Sequence, residues 1–249
     1  MKKVFLVIIF CFSVMTSCNV VNEDISNIEK ISPFIENEPY SFNKVTEPSV
    51  WTGFSSLKEM QDACQIPENW LDRISTKNLV ETCMNYPLYG LYMAYNNELD
   101  GIKVLMDGFN GFTELKHRED AAEELLNYYE NIMFIKTKSG ERILKEQVKP
   151  LRLGYLELIL VSNQVPNLYN ERNIDRLETL MRAGLQMKIQ CPEIFSMQTV
   201  KKTLLIGAKL KLERYPIDQA DSVMLNDFIS NGGNVSDPII YTKVANIIK

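Results

Sequence analysis

Histidine is almost missing from this chain. Among 249 residues the only histidine is His117, and it lies in the charged run 116–120, where a solvent-facing polar role is the simplest interpretation. Ser-His-Asp catalysis, Cys-His catalysis and mixed Cys/His zinc sites all require histidine. The sequence also contains neither a Gly-x-Ser-x-Gly turn nor a glycine-rich phosphate loop. These absences disfavour the corresponding enzyme classes.

An excess of positive charge is also lacking. The chain carries 27 basic and 32 acidic side chains, a net charge of −5. Loss of an N-terminal segment containing Lys2 and Lys3 would lower the net charge to −7. Because binding to nucleic-acid phosphates requires a basic face, no nucleic-acid partner is expected.

Cysteine is scarce, with five residues in the chain. Cys11 and Cys18 belong to the N-terminus, which leaves Cys64, Cys83 and Cys191 for the remainder. One interpretation is a Cys64–Cys83 disulfide between neighbouring helices, as an exported protein can form. The other, which the odd number favours, is that all three are small buried apolar residues.

The first 17 residues have the order of a secretory signal peptide. Lys2 and Lys3 give a positive start, 4–14 is an almost uninterrupted apolar run, and small residues follow before Cys18. The run is shorter than the roughly 20 residues that a bilayer-spanning helix needs. A removable signal peptide is therefore favoured over a permanent membrane helix.

The tetrapeptide Met15-Thr16-Ser17-Cys18 resembles the lipobox of bacterial lipoproteins, in which an apolar residue and two small residues precede a cysteine. The resemblance implies cleavage before Cys18 and diacylglycerol on its thiol, so that acyl chains such as palmitate hold the protein on a membrane. The next residue is Asn19 rather than the aspartate that retains such lipoproteins at the inner membrane. This implies the outer membrane, on its periplasmic or its cell-surface face.

Behind the signal peptide the sequence predicts a tether over 18–50 and one all-helical domain over 51–249. The tether contains Pro33, Pro39 and Pro48 and shows no sustained hydrophobic period. The domain pattern indicates short helices joined by turns that contain Pro and Asn. Such helices form either an irregular, α-solenoid-like stack of helical hairpins or a compact helical bundle.

Capping residues predict where several helices begin. Ser55 or Ser56 is the expected cap of one helix, and Thr76 is the expected cap of another. Asn173 or Asp175 is expected to open a third helix. These residues are chosen because their short polar side chains can accept a hydrogen bond from the first turn.

Hydrophobic periodicity predicts which faces are buried. In a helix over 120–133, Glu130 is placed on the exposed side, and in a helix over 197–214 the lysines are placed outward. A last helix is predicted over 217–230, stopped by Asn and Gly residues. The segment 134–140 is either a small hairpin or an extension of the helix before it.

Four oxygen-bearing residues, Asn96, Glu98, Asp100 and Asp107, have the spacing of ligands in an EF-hand loop, with Gly101 at the sharp turn. Calcium requires alternating oxygen ligands around one tight turn. This segment therefore predicts a calcium or ligand site. The other interpretation is a polar connection between helices, in which Asn and Gly serve the turn geometry.

The same carboxylates indicate a second chemistry. Glu98, Asp100 and Asp107 lie close in sequence to Tyr92 and Tyr95, as in a sugar-binding cleft. Glycosidases use two carboxylates, one of which is kept protonated by apolar surroundings. A carboxylate-dependent hydrolase acting on polysaccharide is therefore the enzyme class that the composition leaves open.

The segments 63–67 (ACQIP) and 85–90 (NYPLYG), together with the lipobox and the Asn-rich tether, resemble all-helical lipoproteins of Bacteroides-type bacteria. The resemblance implies an envelope location and a helical fold, and it carries no activity. The expected function is a noncatalytic module that binds an envelope protein, peptide or glycan. The alternative is the polysaccharide hydrolase.

Overall fold

A computed structural model describes residues 38–136, 142–145 and 148–248. The predicted signal peptide, Cys18 and the first part of the tether lie outside the described residues. The described chain is mostly helical, which confirms the all-α class. None of the helices in this described part is both long enough and apolar enough to cross a membrane.

The elements follow one another with short connections. Thirteen α-helices, one 3₁₀ helix and two strands are described: α1 Asn43–Thr46, α2 Pro48–Trp51, α3 Leu57–Ala63, α4 Glu68–Leu71, α5 Thr76–Met84, the 3₁₀ helix Tyr89–Ala94, α6 Glu98–Asp107, α7 Asn110–Leu115, α8 Ala121–Met133, β1 Phe134–Lys136, β2 Arg142–Leu144, α9 Pro150–Val161, α10 Glu171–Gln190, α11 Met197–Arg214, α12 Gln219–Ser230 and α13 Ile239–Ile247. The observed bounds of α11 are those predicted for 197–214.

Helix α11 lies at the centre of the fold, where it packs against α9, α10, α12 and α13. Its neighbour α9 is apolar apart from Arg152 and Glu157, and every residue from Leu153 to Val161 is buried. A helix without a polar face is stable only inside a protein. The core therefore forms around the contact between α9 and α11.

The folded body begins ahead of Trp51. Helix α1 and all of α2 except Trp51 fall within the stretch predicted as tether, and Phe42 is buried with its ring centroid 6.2 Å from that of Tyr86. The backbone N–H of Tyr40 donates to the hydroxyl of Thr82 at 2.9 Å. The second part of the predicted tether is thus packed on the domain.

Of the first two predicted caps, the one for α3 is confirmed and the one for α5 is wrong. The side chain of Ser56 accepts a hydrogen bond from the first turn of α3. In α5 the cap is Ser75, which accepts from the backbone N–H of Asn78. The hydroxyl of Thr76 instead donates to Asp120 at 2.7 Å, because α5 packs against α8.

In the C-terminal half, α10 begins earlier than predicted and one helix was not predicted. Asn170 caps α10 through the backbone N–H of Asn173, so Asn173 and Asp175 lie inside the helix rather than at its start. Helix α13 was not predicted. It follows the turn that ends α12, where Gly232 and Gly233 adopt positive φ angles.

The hairpin interpretation of the segment after α8 is confirmed. Strands β1 and β2 pair antiparallel, with Ile135 opposite Ile143. Helix α8 ends at Met133, so it does not extend into this segment. Ser139 and Gly140 lie outside the described residues.

Cys64 and Cys83 are buried free thiols, so the structure does not form the Cys64–Cys83 disulfide. Burial raises the pKa of the Cys64 thiol to about 11. Cys191 is also free and is only partly buried. Cys64 and Cys83 therefore pack as small apolar residues, which is the interpretation that the odd number favoured.

Candidate functional site

The segment that resembled a calcium loop is a helix. The side chain of Asn97 caps α6 by accepting from the backbone N–H of Leu99 at 3.0 Å. Gly101 consequently lies inside the helix rather than at a sharp turn. A Cβ atom at Gly101 would lie 2.6 Å from the backbone oxygen of Tyr92, so this glycine allows α6 to pack closely on the 3₁₀ helix.

The four predicted ligand residues do not meet at one point. The backbone oxygen of Asn96 accepts from Asn234, while Asp100 pairs with a lysine of its own helix. Asp107 binds Lys116 at 2.9 Å. Within the described ranges, no group of three His, Cys, Asp or Glu residues is arranged to hold a metal ion. His117 is exposed, as the sequence indicated.

Glu98 is the one member of that set that reaches the interior. Its carboxylate lies 3.1 Å from the ammonium of Lys202 and 3.5 Å from that of Lys201. Lys202 also lies 3.3 Å from the hydroxyl of Tyr92, and Lys201 donates to Asn234 at 3.0 Å. Burial lowers the pKa of Lys201, and the charge of Glu98 opposes this shift. Glu98 is thus neutralised by two cations.

Two predicted helix faces are wrong. Glu130 is buried and paired with Arg176 at 3.1 Å, because α8 packs against α10. On α11, Lys201, Lys202 and Lys209 are buried rather than outward, since four helices enclose α11 and leave it little exposed surface. A buried ammonium is stable only with partners. Sequence periodicity could not supply those partners, because they come from distant elements.

Lys209 has the most isolated of these ammonium groups. It donates to the backbone oxygen of Val161 at the end of α9, and it lies 4.2 Å from the ring centroid of Tyr169. Burial lowers the pKa of Lys209 to about 8, and the carboxylate of Glu213 partly opposes the shift. The ammonium of Lys209 therefore bonds the carbonyl at the end of α9, but burying it costs the free energy of its lost hydration.

We expect Lys209 to make the free energy of unfolding depend on pH in the alkaline range. The folded-state pKa of Lys209 is about 8 against an ordinary value of 10.5, so from pH 8 upward the unfolded state binds more protons and folding is favoured as pH rises. Relative to Lys209→Met, the free energy of unfolding of the wild type should rise by about 1 kcal/mol between pH 8 and 9. Urea titrations under reducing conditions measure this difference. Parallel pH curves for the two proteins would contradict it.

A second buried pair lies in a hydrogen-bond network that joins the four helices α8, α9, α10 and α11. Both oxygens of Glu157 on α9 accept from the ammonium of Lys188 on α10, at 2.7 and 2.6 Å. Thr203 and Tyr129 donate to the same carboxylate at 2.8 and 2.9 Å. Lys188 also donates to the backbone oxygen of Thr199 at 3.0 Å. Every group in this network is bonded.

The Glu157–Lys188 network has no access to a substrate. The side chains of Glu157 and Lys188 are 0 % exposed. Burial lowers the pKa of Lys188, although Glu157 opposes the shift, and burial beside Glu157 raises the pKa of Tyr129. The network therefore holds helices together rather than carrying out chemistry. The feature of the sequence that pointed to this network is Glu157, the one charged residue in the apolar stretch 153–161 of α9.

An apolar groove lies beside the segment that the sequence singled out. It encloses about 280 Å³ between α3, the 3₁₀ helix and α6. Leu57, Tyr95 and Val104 line it and remain exposed, with 41 % of the Tyr95 surface accessible. This groove contains apolar and aromatic side chains, and Gln61 is the polar side chain among its lining residues.

A polar cleft lies between α5 and α8, and we name it the α5–α8 cleft. It encloses about 300 Å³. Its lining residues are Lys77, Glu81, Glu124, Asn127, Tyr128, Asn131, Ile132 and Lys145. Sequence reasoning missed this cleft because nothing in the sequence indicated that α5 and α8 are neighbours.

Comparison of the chain with protein-family models, with curated proteins and with solved structures gives no significant match.

Proposed function

We propose that this chain is a lipoprotein of the bacterial outer membrane, anchored through Cys18, whose helical domain is a noncatalytic module that binds a protein, peptide or glycan. The observation that supports a noncatalytic role is the state of the predicted catalytic carboxylates. Glu98, Asp100 and Asp107 are each paired with lysine. None of them is positioned with a second carboxylate in a described cleft, as glycoside hydrolysis requires.

The surface supports a binding role. The core is filled by apolar side chains, and concave regions lie at the surface between helices. Ligand sites combine a preformed concavity with aromatic side chains and a few polar groups. The apolar groove has the first two of these properties, and the α5–α8 cleft has all three.

The lipid anchor has a direct test. In a Gram-negative host fed an alkyne analogue of palmitate, we expect the full chain to be labelled and to fractionate with the outer membrane. Cys18→Ser should lose the label, because the thiol is the site of acylation. Cys11→Ser is the matched control and should be labelled normally. Equal labelling of Cys18→Ser and wild type would refute the anchor at this position.

One observation favours the alternative hydrolase. Glu81 and Glu124 both line the α5–α8 cleft beside Tyr128, and two carboxylates flanking a sugar are what glycoside hydrolysis uses. Both carboxylates are only partly buried. Cleavage of a polysaccharide that is lost in both Glu81→Gln and Glu124→Gln would decide for this alternative.

A further inference from the structure

The α5–α8 cleft gathers polar side chains that the protein itself does not use. Glu81, Glu124 and Asn127 are half-buried, and Lys77 and Asn131 are exposed. Each of the five lacks a side-chain hydrogen bond or ion pair to any other residue in the described ranges. Elsewhere, polar side chains of the same kinds are commonly paired across helices. The cleft therefore presents donors and acceptors that remain available to a ligand.

The charges of the cleft balance. Lys77 and Lys145 face Glu81 and Glu124 as lining residues of one cleft, so no net charge selects an anion or a cation. Ammonium groups donate, carboxylates accept, and the amide of Asn127 does both. A ligand that matches this set must itself both donate and accept. Hydroxyl groups have that property.

An aromatic ring, that of Tyr128, stands among these polar groups. Burial raises the pKa of the Tyr128 hydroxyl, and the charge of Arg152 opposes this shift. The guanidinium of Arg152 is held by Asn85 at 2.6 Å and lies 5.6 Å from the ring centroid of Tyr89. Tyr128 itself is half-buried and packed against the core, which restricts the ring and lowers the entropic cost of binding a ligand to it.

The cleft follows the surface of α8. Glu124, Tyr128 and Ile132 are spaced by four residues and therefore lie on one face, and Lys77 and Glu81 have the same spacing on α5. From Glu124 to Ile132 the helix rises by about 12 Å. The cleft is consequently elongated and suits an extended ligand.

We propose that the α5–α8 cleft binds a neutral oligosaccharide, with Tyr128 as the platform for a sugar ring and Glu81, Glu124 and Asn127 as hydrogen-bonding partners of its hydroxyls. This inference rests on the proposed binding function and assigns it a ligand class. A sugar ring combines an apolar face with a rim of hydroxyls. Tyr128 and Ile132 match the face, and the unpaired polar groups match the rim.

The test uses the full chain purified in detergent. Binding is measured against hexasaccharides of the α-glucan, β-glucan, xylan, mannan and chitin types, by calorimetry at millimolar ligand, and each mixture is then analysed for cleavage products. We expect at least one hexasaccharide to bind intact. Tyr128→Leu should weaken that binding by about tenfold or more, because the ring platform is lost. Asn127→Ala, which removes only a half-buried amide that has no partner among the described residues, should weaken it as well.

The control is Tyr215→Leu, which removes an exposed tyrosine that lines neither the α5–α8 cleft nor the apolar groove and should leave saccharide binding unchanged. Thermal melting of each variant shows whether it is folded, and Asn127→Ala keeps the test valid if Tyr128→Leu is not. Failure of all five hexasaccharides to bind overturns the saccharide site, as does equal weakening by Tyr215→Leu. Neither result tests the proposed lipid anchor at Cys18, which the labelling experiment tests separately. Binding followed by cleavage keeps the saccharide site and overturns the noncatalytic function.

Discussion

Glu157→Gln should be among the most destabilising substitutions in this protein. The change leaves the ammonium of Lys188 buried at 0 % exposure without its carboxylate. Removing one partner of a buried ion pair costs about 3–5 kcal/mol. Lys188→Met should cost a similar amount, since it leaves the carboxylate charged and buried. Urea unfolding followed by circular dichroism measures both.

The double variant Glu157→Gln/Lys188→Met separates the effect of the two charges from the effect of side-chain packing. The introduced glutamine side chain can still accept from Thr203 and Tyr129, and no uncompensated charge remains, so the double variant should be more stable than either single variant. Additive losses in the three variants would show that the charges are not coupled and would contradict this account.

A matched control is the exposed pair Glu123–Arg172, which likewise joins two helices, α8 and α10. Its N–O distance is 2.8 Å, but the side chains are 44 % and 77 % exposed. Exposed pairs contribute less than about 1 kcal/mol, so Glu123→Gln and Arg172→Met should change stability little. The contrast isolates burial as the cause of the large effect, because both pairs have short contacts.

Local signals in the sequence were sufficient for much of the fold. The bounds of α11, the cap at Ser56 and the stop at Gly232 depend on residues within one or two turns of each other. Thr76 shows the limit of such signals: it is a plausible cap by itself, but α8 brings Asp120 within reach of its hydroxyl. A competing tertiary partner therefore moved the cap by one residue.

The buried lysines and the α5–α8 cleft depend on contacts that sequence spacing does not contain. Lys202 meets Glu98, which is 104 residues away in the chain. Periodicity places lysines outward because it assumes that one side of a helix faces water, and α11 has helices around it. Glu157 was the available clue, since a lone carboxylate in an apolar helix requires a buried cation.

Gly232→Ala should be the other strongly destabilising change. Gly232 has φ +61°, and a Cβ atom there would overlap the side-chain oxygen of Asn97. Strained positive φ at a non-glycine residue costs about 1–3 kcal/mol. The overlap also disturbs Asn97, whose amide donates to the backbone oxygen of Ser230 at 2.8 Å and so joins α12 to the start of α6. We expect a loss of about 2–4 kcal/mol in the free energy of unfolding.

Gly90→Ala is the matched control, because a Cβ atom there would meet its nearest neighbour, the end of Met93, at an ordinary 3.5 Å. It should change stability by less than about 1 kcal/mol. In the double variant Gly232→Ala/Asn97→Ala the overlap disappears while the backbone strain remains, so its loss should be smaller than the sum of the two single losses. Strict additivity would mean that backbone strain alone makes this glycine necessary. A small effect of Gly232→Ala itself would show that the turn can shift away from Asn97 without weakening the contact between α12 and α6.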